Sequence, residues 1–163
     1  MATKGLVLLA KDTFSAVSSV SFDNVFSATY KQYKIVTNFS GSGAYTYMRM
    51  RAGGSDNTST NYNRQFLVGN HSTITAGRST SVTRWDGVTE LNTTGNIALI
   101  EIINPFQSAY TNAISKMSEY NSGNIIFISG TFGLTVTTSY DGFTIAPDTS
   151  TITGNITVYG LAQ

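Results

Sequence analysis

The sequence has no cysteine, only two prolines and one histidine, and few charged residues, which make up 12% of the chain. Without cysteine it can form no disulfide, no thiol nucleophile and no cysteine metal site. One histidine cannot supply a multi-histidine metal centre. No apolar run approaches the roughly 20 residues that a membrane-spanning helix needs. These absences exclude several kinds of site before any motif is considered.

The charge is also nearly balanced, with ten Lys plus Arg against nine Asp plus Glu. The basic residues are scattered, whereas a nucleic-acid binder concentrates them on one face. The first apolar run, residues 6–10, is closed by Lys11 and Asp12 and is too short for a signal peptide. We therefore expect no nucleic-acid partner, no membrane insertion and synthesis as a soluble protein in a cytoplasm.

The composition favours an all-β protein. Ser, Thr and Asn supply most of the polar surface, and the chain adds 15 Gly and 9 Tyr. Such a mixture is poor in helix-forming residues and rich in β-branched and turn-forming ones. At 163 residues, with no linker and no internal repeat, we expect a single β-sandwich domain over residues 1–163.

Alternation of apolar and polar residues predicts the strands. Residues 45–51 alternate most clearly: the tyrosines and arginines fall on one face, and Met48 and Met50 fall on the other, which we expect in the core. Further strands are predicted at residues 5–10, 16–22, 30–39, 65–69, 79–85, 97–103, 124–129, 134–140, 143–146 and 155–161.

The segments between these strands carry weaker signals. Residues 53–63 are predicted to form a long exposed loop, and residues 106–120 an irregular crossing segment with room for a short helical turn. Asp141-Gly142 is the strongest hairpin-turn signal, because such turns need positive φ. Eight to ten short strands with regularly spaced turns predict an antiparallel β-sandwich of jelly-roll-like topology.

Catalytic chemistry has little support. His71 lies in a polar stretch without a nucleophile motif and is interpreted as a solvated loop residue. Asp86 and Glu90 are the one carboxylate pair close in sequence away from the termini, and they follow Trp85. This neighbourhood could be a sugar-stacking loop, but packing of Trp85 is the favoured interpretation. Residues 56–61 offer oxygen ligands with a single Asp, a weak calcium signal. We predict no enzyme, no metal and no cofactor.

A surface rich in Tyr, Ser, Asn and Gly is typical of recognition of proteins or glycans. The candidate binding residues are Tyr62, Arg84, Trp85 and Asp86, where aromatic and hydrogen-bonding groups coincide in predicted loops.

Three stretches resemble bacteriophage virion β-sandwich domains of the capsid decoration, knob and tail-fibre type. The first is Phe22-Asp-Asn-Val-Phe26 with Tyr30-Lys-Gln-Tyr33-Lys-Ile35. The second is Tyr47-Met-Arg-Met-Arg51, followed by Gly53-Gly-Ser-Asp56 and Asn61-Tyr62. The third is Gly154-Asn-Ile-Thr-Val-Tyr-Gly-Leu161. Together they span most of the chain from Phe22 onward.

The resemblance implies a non-enzymatic protein of the virion, assembled in the bacterial host and often trimeric. No coiled-coil heptads are present to form a fibre shaft. We therefore expect a capsid decoration or cement protein, with the major capsid protein or other virion proteins as partners. The alternative is a tail-associated module that binds a host receptor or surface glycan.

Overall fold

The computed structural model describes residues 5–121 and 123–162, and within them the chain forms thirteen strands in two antiparallel sheets. The sheets pack as a sandwich, which confirms the predicted fold class. The described residues contain no helix able to cross a membrane. The strands are β1 Gly5–Val17, β2 Val20–Phe22, β3 Gln32–Gly41, β4 Tyr45–Ala52, β5 Ser55–Asp56, β6 Tyr62–Asn70, β7 Thr73–Val82, β8 Trp85–Glu90, β9 Asn96–Ile103, β10 Asn112–Asn121, β11 Asn124–Leu134, β12 Gly142–Pro147 and β13 Ile152–Ala162.

The large sheet has eight strands in the order β1-β13-β3-β9-β10-β11-β6-β7. The small sheet has the order β2-β12-β4-β5, and β8 also pairs with β4. The pairs β3–β13, β4–β12, β6–β11 and β9–β10 are nested along the chain. A long hairpin folded over on itself gives this nesting, which is the jelly-roll-like feature of the topology.

The core lies between the two sheets and is filled by alternate residues of the strands. Met48 and Met50 are fully buried, as the alternation in β4 predicts. Tyr33 and Ile35 of β3 face them from the large sheet side, together with Ile100 of β9. Burial of such side chains contributes roughly 1.5–3 kcal/mol each.

The prediction for residues 106–120 is wrong, because most of this segment is strand β10. The spacing of three and four residues between apolar side chains suggested a helical turn. The backbone instead pairs with β9 on one side and β11 on the other. Ala113, Ser115, Met117 and Glu119 alternate into the interior with period two. Pairing with two neighbours outweighs a weak local pattern.

The predictions around residues 134–142 also need correction. Leu134 ends β11, and the chain then leaves the sheet; the Tyr140 backbone N–H donates to the Pro105 carbonyl at 2.7 Å. Gly142 makes no positive-φ turn and begins β12. A Cβ at Gly142 would collide with the Phe22 carbonyl oxygen, so glycine permits close approach of β2.

Residues 53–63 are not one long loop. They contain β5 and the start of β6, where Tyr62 is fully buried. His71 is exposed in the two-residue turn between β6 and β7, as expected of a solvated loop histidine.

Candidate interaction surfaces

The large sheet exposes an unusually apolar outer face. We define the outer face as the side chains of the large sheet that point away from the small sheet. Twelve large hydrophobic side chains are exposed in the described part of the chain, and eleven of them lie on this face. They are Leu6, Leu8, Leu67, Ile74, Ile97, Leu99, Ile103, Ile114, Tyr120, Ile125 and Phe127. The twelfth, Tyr110, lies in the segment before β10.

Strand register brings many of these side chains together. Tyr120 lies opposite Ile125 in the β10–β11 pair. The ring of Phe127 covers Gly69, and Ile74 lies opposite that glycine on β7. Cross-strand neighbours on one face stand about 4.5–5.5 Å apart at Cβ. The end of the sheet formed by β6, β7, β10 and β11 therefore carries a cluster of neighbouring apolar side chains.

The charges of the outer face have predominantly one sign. Lys11, Lys34, Arg78 and Lys116 point outward, and Glu101 is the one carboxylate among the described outer-face residues. Glu101 lies directly opposite Lys34 in the β3–β9 pair. The face is thus apolar with a modest positive charge, suited to a partner that is apolar and slightly acidic.

The outer face of the small sheet has a different character. Arg84 lies over the ring of Tyr47, 4.1 Å from the centroid, and Arg49 lies 5.3 Å from the same centroid. The Arg84 Nε is 2.7 Å from Asp86 Oδ1, an ion pair without the alignment of a good hydrogen bond. This cluster of Tyr47, Arg49, Arg84 and Asp86 is half-buried and open to solvent on one side.

The predicted binding residues are divided between core and surface. Tyr62 and Trp85 are fully buried and pack edge to face with centroids 5.6 Å apart. The Trp85 indole N–H donates to the Gly133 carbonyl at 3.2 Å. Neither ring can contact a glycan in this structure, so the packing interpretation of Trp85 fits and their proposed surface role is corrected. Arg84 and Asp86 remain at the surface, and their role in binding stays a prediction.

The weak calcium signal of residues 56–61 is explained by internal contacts. Asp56 Oδ1 accepts from Arg51 Nη1 at 2.6 Å and from the Thr144 hydroxyl at 2.7 Å. The Asn57 side-chain amide donates to Asn61 and to the Tyr140 hydroxyl. Among the described residues, no group of three or more His, Cys, Asp or Glu could hold a metal ion.

The Glu90 carboxyl has a pKa above its ordinary value. Burial raises its pKa, and the nearby Glu119 carboxylate raises it further. Glu119 is itself buried and accepts from the Asn92 amide at 2.8 Å. Glu90 also lines a depression between the sheets with Arg64 and Phe66.

We predict that Glu90→Gln stabilises the fold at neutral pH. A raised pKa in the folded state means that ionised Glu90 is disfavoured there relative to the unfolded chain, so stability should increase as the pH falls. Glutamine removes that penalty. The advantage of the variant should shrink as the pH approaches about 4, near the ordinary value for Glu. Urea unfolding of both proteins across this pH range measures it, and a constant difference would contradict it.

Comparison with known proteins gives no identification. No family model matches the chain, and no curated protein matches it. A functional interpretation therefore rests on the surfaces described above and on the sequence motifs.

Proposed function

We propose that the protein is a non-enzymatic structural subunit of a bacteriophage particle. In this proposal it decorates or cements the capsid, binding the capsid surface as an oligomer through the outer face of the large sheet. Its partners would be the major capsid protein or other virion proteins.

The concentration of exposed apolar side chains on the outer face carries this proposal. Isolated exposed hydrophobic residues are normal, but soluble monomers rarely leave a large contiguous apolar patch uncovered. Eleven such residues on one face of one sheet therefore favour a covered surface in the working state. The broad outer face of an eight-stranded sheet suits attachment to another large surface better than capture of a small molecule in a concave site.

The phage assignment comes from the three resembling sequence stretches. A repetitive shell would favour this role, because many weak contacts between the protein and the shell act together. If the protein bound only the mature shell, its binding would also stabilise that shell by mass action.

Ile97→Lys with Ile125→Lys tests the contact face. Both side chains are more than half exposed on the outer face, so the double variant should fold. Burying two unpaired ammonium groups in an interface is costly. We expect co-sedimentation with emptied capsids to fall by at least about tenfold, since 1.4 kcal/mol already gives that factor.

The matched control is Thr58→Lys with Thr60→Lys, which adds the same charge to an exposed loop between β5 and β6. It should co-sediment as the unmodified protein does. Equal binding by the outer-face variant would contradict docking through this face, and no binding by the unmodified protein would contradict the capsid role.

A second candidate is a tail-associated module that binds a receptor or glycan. The Tyr47, Arg49, Arg84 and Asp86 cluster favours it, because an aromatic ring beside cationic and anionic groups is a common recognition surface. Gold-labelled antibody on intact virions separates the two. Label over the head supports decoration, and label confined to the tail supports the adsorption role.

A further inference from the structure

The sheet edges of this protein are protected unequally. Natural proteins block edges with short strands, bulges, charges or proline, because a free edge can pair with another chain. At one end of the large sheet, β1 has two register shifts and carries Lys11 and Asp12. In the small sheet, β2 has three residues, β5 has two and β8 has six.

The other end of the large sheet, β7, has little such protection. From Thr73 to Ser79 it pairs with β6 through seven consecutive residues without a bulge. That run contains no proline and one charged residue, Arg78. Thr73 to Ala76 are exposed on both faces, since the small sheet does not cover β7. This regular, nearly neutral edge is open to pairing.

The turn fixes which backbone groups of β7 are free. A two-residue turn joins β6 to β7, so Asn70 and Thr73 form the closing, hydrogen-bonded pair. Hydrogen-bonded and non-hydrogen-bonded pairs then alternate along the hairpin. The N–H and C=O groups of Ile74, Ala76 and Arg78 consequently point away from β6.

We infer that β7 pairs with β7 of a second copy, antiparallel, around a two-fold axis at Ala76. In this register Ala76 lies opposite the partner's Ala76, and Ile74 lies opposite the partner's Arg78. The three residues with free groups on each copy would then form three reciprocal pairs, or six hydrogen bonds. The two large sheets would continue into one, joining the apolar ends of their outer faces.

Charge favours the antiparallel over the parallel arrangement. In a parallel pairing the two Arg78 side chains would be directly opposite, which is destabilising. In the antiparallel register their Cα atoms lie four residues apart along the strand, about 13 Å at ~3.3 Å per residue. That exceeds the Debye length of about 10 Å at 0.1 M salt. The aliphatic stem of Arg78 can also cover the partner's Ile74.

In this register each β7 residue with free backbone groups lies opposite another such residue of the second copy. This match favours a second copy of the chain as the partner. An isologous contact of this kind closes as a pair, and the joined sheet then ends on both sides in the protected strand β1. The inference concerns self-association alone, so it stands or fails independently of the capsid proposal.

Ala76→Lys and Ala76→Glu form the test. In Ala76→Lys two ammonium groups meet at the axis beside both Arg78 residues. In Ala76→Glu two carboxylates meet there, but each also lies diagonal to the partner's Arg78. We expect the unmodified protein to dimerise at micromolar concentration in analytical ultracentrifugation. Ala76→Lys should weaken the dimer by at least about tenfold, and Ala76→Glu should weaken it less, because repulsion between the two carboxylates at the axis is offset by attraction to the diagonal Arg78 side chains.

Thr13→Lys, which adds the same charge to the opposite edge strand β1, should leave the dimer intact. Hydrogen exchange should protect the amides of Ile74, Ala76 and Arg78 in the dimer and release them in Ala76→Lys. A monomer at tens of micromolar, a trimer, or a dimer insensitive to Ala76→Lys would overturn the inference. Equal disruption by Thr13→Lys or Ala76→Glu would overturn it as well.

Discussion

Replacing Trp85 with alanine is expected to lower the free energy of unfolding by about 3–5 kcal/mol, as for other fully buried large aromatic residues. Trp85 is fully buried at the start of β8 and contacts the rings of Tyr62 and Phe132. Truncation removes these contacts and leaves the Gly133 carbonyl without its indole donor. Urea unfolding monitored by circular dichroism measures the loss.

Arg84→Ala is the neighbouring control. Arg84 is partly exposed and pairs with Asp86 at the surface, and such ion pairs contribute about 0–1 kcal/mol. We expect a correspondingly small change. If Trp85→Ala instead kept full stability, the indole would not be a packing anchor, and a binding role for Trp85 would again have to be considered.

Much of the fold could be predicted because alternation has a direct physical cause. In β4 successive side chains point to opposite faces, so Met48 and Met50 had to be buried if the arginines were exposed. The strand around residues 97–103 was predicted from a nearly continuous apolar run, and a further strand was located around residues 155–161. Register and pairing partners needed the structure, because they depend on contacts distant in sequence.

The outer face was missed for a related reason. Residues 97–103 are apolar at almost every position, a pattern that indicates burial on both faces. In the structure Ile100 and Ile102 are buried, but Ile97, Leu99 and Ile103 are exposed. The pattern predicts burial on both faces, whereas the described residues leave the outer face of this strand exposed.

The surface positions expected for Tyr62 and Trp85 were wrong for another reason, since exposure was inferred from polar neighbours. Tyr62 follows the polar residues 53–61, and Trp85 follows Arg84, which suggested loops. In the structure a strand begins at each aromatic residue and carries its ring inward. Burial raises the Tyr62 pKa, and its hydroxyl bridges the Met50 N–H and the Asn57 carbonyl.

The resembling stretches are explained by packing. Phe26 packs against Tyr33 and against Phe143, with centroids 4.6 and 5.7 Å away. The Tyr30 ring occupies the space that a Cβ at Gly160 would need. The first and third stretches therefore meet in the structure, where their aromatic side chains and Gly160 pack together.

Gly154→Ala should destabilise the protein by roughly 2–5 kcal/mol, combining backbone strain with overpacking. Gly154 has a φ of 149°, which a residue with a side chain rarely adopts. A Cβ there would also overlap the backbone carbonyl oxygen of Asn38 on β3. Because β13 lies between β1 and β3, relief of this overlap must disturb pairing inside the large sheet.

Gly53→Ala is the reference for the cost of backbone strain without overpacking. Gly53 also has a positive φ, 57°, but nothing lies within 4 Å of its Cβ position. Alanine there incurs only the left-handed backbone cost of about 1–2 kcal/mol. Urea unfolding of both variants should therefore show the larger loss for Gly154→Ala, and the excess reflects both the contact between β13 and β3 and the greater backbone strain of alanine at a φ of 149°. Equal losses would mean that the backbones of β13 and β3 are farther apart at this point, and that glycine is needed at position 154 only for its backbone conformation.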